Sequence, residues 1–133
     1  MGAYQIHKKT AYVLYPRPLQ NWIILCDVGY TTAEQAKEII TKENAKATAR
    51  LLDPAGTTGK AYGAKTTPHM FIIDSNGILA YKGAIDDTPD TKQSSVKTAH
   101  NYVTAALEAL KEGHEPAVTQ SNPYGCAIKY GHE

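Results

Sequence analysis

The clearest hydrophobic pattern lies in the middle of the chain, where two apolar runs flank a short polar turn. The segment "HMFIIDSNGILAYKGAI" places strands over residues 69–74 and 78–85, on either side of Ser75, Asn76 and Gly77. An Asn-Gly pair supplies the positive φ angles that tight hairpin turns require. The pattern therefore predicts two neighbouring antiparallel strands.

Two apolar stretches and one helical pattern precede this hairpin. "TAYVLYP" predicts a first strand, and residues 22–27 a second. The segment "TTAEQAKEIITKENA" then changes to helical spacing. Both Thr31 with Glu34 and Thr32 with Gln35 fit a capping box at its start. We expect a helix packed on a sheet, with its apolar face formed by Ala33, Ala36, Ile39 and Ile40.

The remaining patterns add a short strand, a turn of helix and a longer helix. "ATARLL" predicts a strand that ends in a turn at residues 53–56, and a helical turn is expected at 58–62. A longer helix should end at Gly113. Its apolar positions are Val96, Ala99, Val103, Ala106, Leu107 and Leu110. Helices that alternate with strands and an antiparallel hairpin indicate an α/β fold, a mixed sheet covered by helices.

Length and charge restrict the class of protein. A chain of 133 residues fits one domain, and its formal net charge of +1 with dispersed lysines indicates no nucleic-acid surface. The apolar runs are too short to cross a bilayer. Lys8 and Lys9 precede no hydrophobic region, which argues against a secretory signal. We therefore expect a cytoplasmic chain that binds neither nucleic acid nor a membrane.

Three motifs occur in an order that resembles a known family. They are the Thr-Thr-Pro sequence that leads into the hairpin, the Asp-x-x-Gly turn within it and the Tyr-Gly-Cys sequence near the C-terminus. Over about residues 28–130 the chain resembles the C-terminal two-thirds of thioredoxin-like redoxins, nearest to the peroxiredoxin-like AhpC/TSA and thiol–disulfide oxidoreductase group. The resemblance implies a thioredoxin-like fold in which Pro68 is cis and Thr67, Pro68 and His69 contact the substrate.

The N-terminal part departs from that family. No Cys-x-x-Cys or Pro-x-x-x-Thr/Ser-x-x-Cys motif is present, and residues 1–27 do not resemble the catalytic βα unit. We therefore expect an atypical segment at 1–27, a thioredoxin-like core at 28–113 that includes strand 22–27, and an extended surface tail at 114–133. A sheet that lacks its first unit exposes an edge, so we expect a homodimer, and the two copies could exchange their N-terminal strands.

The two cysteines leave two functions open. Cys126 resembles the cysteine of the family's Tyr-Gly-Cys ending, where a second thiol could resolve a disulfide, and Cys26 ends an apolar strand. A thiol-dependent oxidoreductase or peroxidase would use Cys126, Cys26 or a bond between them. A non-catalytic binding or assembly module would take a protein or thiol partner in a groove beside Pro68. The missing cysteine motif favours the second function.

The other candidate residues carry weaker signals. His69 follows the proline at the strand mouth, where it could titrate near neutrality or donate to an anion, or merely cap the strand end against solvent. No ligand spacing indicates a metal site, and no glycine pattern indicates a phosphate loop. We therefore expect neither a metal nor a cofactor.

Overall fold

The elements follow one another in an α/β order. The computed structural model describes residues 10–17, 20–27, 32–42, 44, 49–90 and 92–130, and of residues 10–17, 20–27 and 49–51 it describes the backbone alone. The elements in chain order are β1 Thr10–Arg17, β2 Gln20–Asp27, α1 Ala33–Lys42, β3 Ala49–Leu52, α2 Thr57–Tyr62, β4 Thr66–Thr67, β5 Met70–Ile73, β6 Leu79–Gly83, a 3₁₀ turn Ser95–Lys97, α3 Tyr102–Lys111 and β7 Cys126–Ala127.

The larger of two sheets has five strands in the order β3-β2-β1-β5-β6. β1 pairs antiparallel with β2 and parallel with β5. β2 pairs parallel with β3, and β5 pairs antiparallel with β6. The predicted mixed sheet is therefore confirmed. β4 and β7 form a separate antiparallel pair beside it.

The α1 helix begins at the second of the two predicted capping boxes. The Thr32 backbone N–H donates to Gln35 Oε1 at 3.0 Å, and the Gln35 N–H donates to Thr32 Oγ1 at 3.2 Å. These reciprocal bonds satisfy two amides that the helix itself leaves without acceptors. Thr31 lies outside the described residues. Of the predicted apolar face only Ala36 is buried, so α1 contributes little to the described core.

The predicted hairpin is confirmed, but its turn works differently from the expectation. Only Gly77 has a positive φ, at 82°, whereas Asn76 does not. Asp74 holds the turn instead, because its Oδ1 accepts from the Asn76 N–H at 2.9 Å and from the Ile78 N–H at 2.8 Å. A register shift between Ile72 and Ile73 accommodates this wider loop.

The single helix expected from Val96 to Leu110 is wrong. The chain forms a 3₁₀ turn, leaves helical geometry and restarts at α3, whose N-cap Asn101 accepts from the Thr104 N–H at 2.9 Å. An asparagine oxygen that bonds the first turn ends one segment and starts the next. Val96 is 69% exposed. The helical spacing of apolar residues therefore runs across the break between the 3₁₀ turn and α3, and this break is created by a side-chain hydrogen bond that the spacing does not reveal.

The core lies between the hairpin and α3. Met70 and Ile72 of β5 pack with Tyr81 of β6 and Ala106 of α3, and half-buried residues surround them. Phe71 projects from the other face of the sheet, where the Tyr62 ring of α2 meets it edge-on with centroids 5.4 Å apart. The hairpin is therefore covered on both faces at the level of Phe71, just beyond Pro68.

Candidate binding site at the strand entrance

Pro68 stands where β4 ends and β5 is about to begin. The Thr67–Pro68 peptide bond is cis. The Thr66 hydroxyl donates to the Pro68 carbonyl oxygen at 2.9 Å. Thr67 is buried. Proline has no N–H to donate to a ladder, which accounts for its position between two strands rather than inside one. We call residues 66–69 the strand entrance.

The C-terminal tail pairs with this strand entrance. Thr66 lies opposite Ala127, and Thr67 lies opposite Cys126. The Ile128 N–H extends the pairing by donating to the Lys65 carbonyl oxygen at 3.0 Å. The structure therefore brings together the sequence-predicted residues Thr67 and Cys126, about 60 positions apart, next to Pro68.

The Cys126 thiol faces outward from β7. Cys126 is the free cysteine of the described residues, and its side chain is exposed. No side chain or backbone group among the described residues donates a hydrogen bond to its sulfur. The Cys26 backbone lies in β2 opposite Ala11 and Leu51, and its side chain lies outside what the structure describes. Because Cys126 is free, it forms no bond to Cys26 in this structure.

Close contact with the backbone holds the tail at Gly125. This residue has φ 137° and lies so near β4 that an added Cβ would overlap the Thr67 carbonyl oxygen and stand 3.2 Å from Pro68 Cδ. Only glycine reaches this φ without strain. The tail therefore crosses the strand entrance at a point where no side chain fits.

Ser121 ties the tail to the end of β6. The Tyr81 hydroxyl donates to the Ala84 carbonyl oxygen at 2.6 Å and lies 2.7 Å from Ser121 Oγ. The Ala84 N–H in turn donates to Ser121 Oγ at 3.0 Å. Because the Tyr81 proton is engaged, the Ser121 hydroxyl is the donor between the two oxygens. Burial raises the pKa of the fully buried Tyr81 phenol.

Two further tyrosines fasten the tail on either side of β7. The Tyr124 hydroxyl donates to Asp86 Oδ1 at 2.5 Å, and the Tyr130 hydroxyl donates to the Ala64 carbonyl oxygen at 2.7 Å. Burial, and then the hydrogen bond to Asp86, raise the pKa of Tyr124. The sequence patterns missed these contacts because a tyrosine in a Pro-punctuated tail carries no local sign of a distant acceptor.

His69 fits neither titration near neutrality nor capping of the strand end against solvent, two of the three roles that the sequence left open. It is only 5% exposed, and its ring stacks on Phe71 with centroids 4.4 Å apart. The Lys65 backbone N–H donates to His69 Nδ1 at 3.1 Å. Burial, helped by the charges of Lys82 and Lys65, lowers the pKa of His69 from 6.5 to about 4. The imidazole is therefore neutral at pH 7.

Metal binding finds no support in the described part of the chain. None of its His, Cys, Asp and Glu side chains form a group of three that could hold an ion. Asp53, a buried carboxylate, instead accepts from the Gly59 N–H at 2.8 Å and so holds the start of α2. None of the described helices has the length and apolar character to cross a bilayer.

Comparison with known proteins finds similar folds in other structures but gives no function. The structure is similar to an uncharacterized conserved protein from Geobacillus kaustophilus, with a TM-score of 0.71 and 18% identity over 95% of this chain and 79% of that one. It is also similar to a hypothetical protein from Sinorhizobium meliloti 1021, with a TM-score of 0.68 and 20% identity over 95% of this chain and 82% of that one. No protein-family model and no curated protein matches the sequence. At such identities the likeness shows the fold alone.

Proposed function

We propose that the chain is a thioredoxin-like domain of the redoxin type that acts as a non-catalytic binding or assembly module. One observation carries this proposal: the sulfur of Cys126 receives no hydrogen bond from the described residues. A reactive thiolate needs a nearby cation, base or helix N-terminus. His69 does not supply one, because its Nδ1 is engaged and its ring is neutral.

The test of this proposal is the reactivity of the thiols. We expect alkylation and peroxide oxidation of Cys126 at the rate of a free cysteine in an unstructured peptide, with no turnover of peroxide or of a disulfide substrate. The measurement is mass spectrometry of the intact chain over time, with Cys126→Ser and Cys26→Ser reporting each position. A rate tens of times above the peptide rate that disappears in Cys126→Ser would remove the non-catalytic proposal.

The second candidate function is a thiol-dependent oxidoreductase or peroxidase that uses Cys126, Cys26 or both. One observation favours it: β7 presents Cys126 opposite Thr67, beside the cis proline where the resembled family contacts its substrates. Reversible oxidation of the reduced chain by a small disulfide, with formation of a Cys26–Cys126 bond, would favour this candidate. The thiol measurement therefore decides between the two functions.

Assembly is proposed through the outer edge of β3. β3 ends the sheet order on one side, and Leu52 at its end is 40% exposed. The opposite edge differs, because the Lys82 N–H of β6 donates to the Thr119 carbonyl oxygen and the Ser121 N–H donates to the Lys82 carbonyl oxygen. Among the described strands none pairs with the outer side of β3. An edge of this kind invites pairing with a second copy, so a homodimer would form there.

The substitution Leu52→Lys is expected to shift the dimer towards monomer, because a charge at a strand edge opposes pairing with another chain. Light scattering during gel filtration at about 10 µM, the range of a weak interface, measures the shift. Ile78→Lys is the matched control, since Ile78 is an exposed apolar residue in the hairpin turn beside the opposite edge of the sheet. A wild-type chain that is monomeric at that concentration would refute assembly at β3.

A further inference from the structure

The His69 ring carries a buried donor that the described protein groups leave without an acceptor. Because His69 Nδ1 accepts from the Lys65 N–H, the proton of the neutral imidazole is on Nε2. No described residue accepts a hydrogen bond from that nitrogen. A buried donor without an acceptor costs about 1–3 kcal/mol. Native proteins supply a partner to such a group from the chain, from an ordered water molecule or from a ligand.

Two lysines lie close to the His69 ring, and their charges act on it. Lys82 lies directly opposite Phe71 in the β5–β6 register, and residues that are paired in this way project from the same face. The His69 ring stacks on Phe71, so Lys82 and His69 share that face. Lys65 bonds the ring through its own backbone. Neither lysine has an ion-pair partner among the described residues.

We propose that His69 Nε2, Lys82 and Lys65 form a binding site for a small oxyanion, a carboxylate or a phosphate. The inference rests on the proposed function, since it names the ligand class of a binding site at the strand entrance. An oxyanion accepts the Nε2–H and compensates both ammonium charges with charge-assisted hydrogen bonds. Because His69 is 95% buried, only a small anion or a single anionic group reaches the ring.

The electrostatics of the ring agree with this arrangement. Both ammonium groups disfavour a proton on His69, which is the effect of positive charge close to the imidazole. A bound anion reverses that effect and favours the imidazolium. By linkage, an anion that binds here must raise the pH at which His69 titrates.

The test is an NMR titration of the ¹⁵N-labelled full chain at pH 7, followed at the His69 ring nitrogens. Sodium acetate and sodium phosphate are added separately, and sodium chloride at matched ionic strength is the control. We expect a saturable shift with acetate or with phosphate that chloride does not reproduce. The anion that saturates at the lower concentration identifies the carboxylate or the phosphate class. No saturation by about 50 mM with either anion would overturn the proposal.

Two variants locate the anion. Lys82→Gln keeps the stem of the side chain and removes its charge, and it is expected to raise the Kd about fivefold. Lys111→Gln changes an exposed lysine in the last turn of α3 and is expected to leave the Kd unchanged. An equal Kd in wild type and Lys82→Gln would place the anion elsewhere and overturn the proposal.

The anion-binding proposal and the non-catalytic function can be refuted independently of each other. A saturable shift together with highly reactive thiols would keep the anion site and refute the non-catalytic function. Inert thiols without a saturable shift would keep the non-catalytic function and refute the anion site.

Discussion

Replacing Gly125 with alanine is expected to release β7 from β4 and to lower the free energy of unfolding by about 3 kcal/mol. Two costs add together. Gly125 has φ 137°, which side chains rarely adopt, and the new Cβ would overlap the Thr67 carbonyl oxygen. Because the tail pairs with the strand entrance directly beyond this residue, the overlap is relieved only when the chain moves away.

The measurement combines denaturant unfolding with hydrogen exchange at the Ile128 amide, which donates to the Lys65 carbonyl oxygen. Gly113→Ala is the matched control. Gly113 has φ 78°, but its added Cβ would meet no atom within 4 Å. The Gly113→Ala variant is therefore expected to lower the free energy of unfolding by about 1 kcal/mol, the cost of the φ angle alone. Equal losses in the two variants, with Ile128 still protected from exchange, would contradict the close contact.

Acidification is expected to remove up to about 3 kcal/mol of stability as the pH falls from 6.5 to about 4, through His69 alone. The pKa of His69 is 6.5 when the chain is unfolded and about 4 when it is folded. Between these values the unfolded chain binds the proton and the folded chain does not. The stability that the neutral His69 contributes is therefore fully present above pH 6.5, and it is lost as the pH falls from 6.5 to about 4.

The experiment measures the free energy of unfolding from pH 4 to 7 in cationic buffers, which add no carboxylate or phosphate. His69→Asn is expected to flatten the pH dependence, because an amide does not titrate and its oxygen can still accept from the Lys65 N–H. His114→Asn, at an exposed histidine, should keep the wild-type slope. If His69→Asn also kept that slope, the buried neutral imidazole would be refuted.

Patterns between near neighbours predicted much of the fold. The hairpin follows from two apolar runs around residues 75–77, and the contacts of Asp74 and Gly77 that hold its turn all lie within four residues. The start of α1 follows from a capping box three residues long. The end of α3 near Gly113 is likewise local. In each case the groups that bond are close along the chain, so their spacing in the sequence already carries the geometry.

The break before α3 shows where periodicity was insufficient. Apolar spacing runs from Val96 to Leu110, yet Asp87 Oδ1 accepts from the His100 N–H at 2.9 Å and Asn101 caps a new helix. Hydrophobic period reports which face is buried, whereas the continuity of a helix depends on whether each amide keeps its intrahelical acceptor. The Asp87 carboxylate, 13 residues away along the chain, accepts the His100 N–H in place of an intrahelical carbonyl oxygen.

The candidate site was visible in the sequence only as separate residues. The resemblance selected Thr67, Pro68, His69 and Cys126, but the sequence by itself determined neither that Cys126 lies opposite Thr67 nor that His69 is buried. The tertiary structure decided both, through the close passage at Gly125 and the stacking of His69 on Phe71. The physical reason is that the local sequence determines bonds across a few residues. Burial and the pairing of distant strands depend on which backbone segments the whole fold brings together.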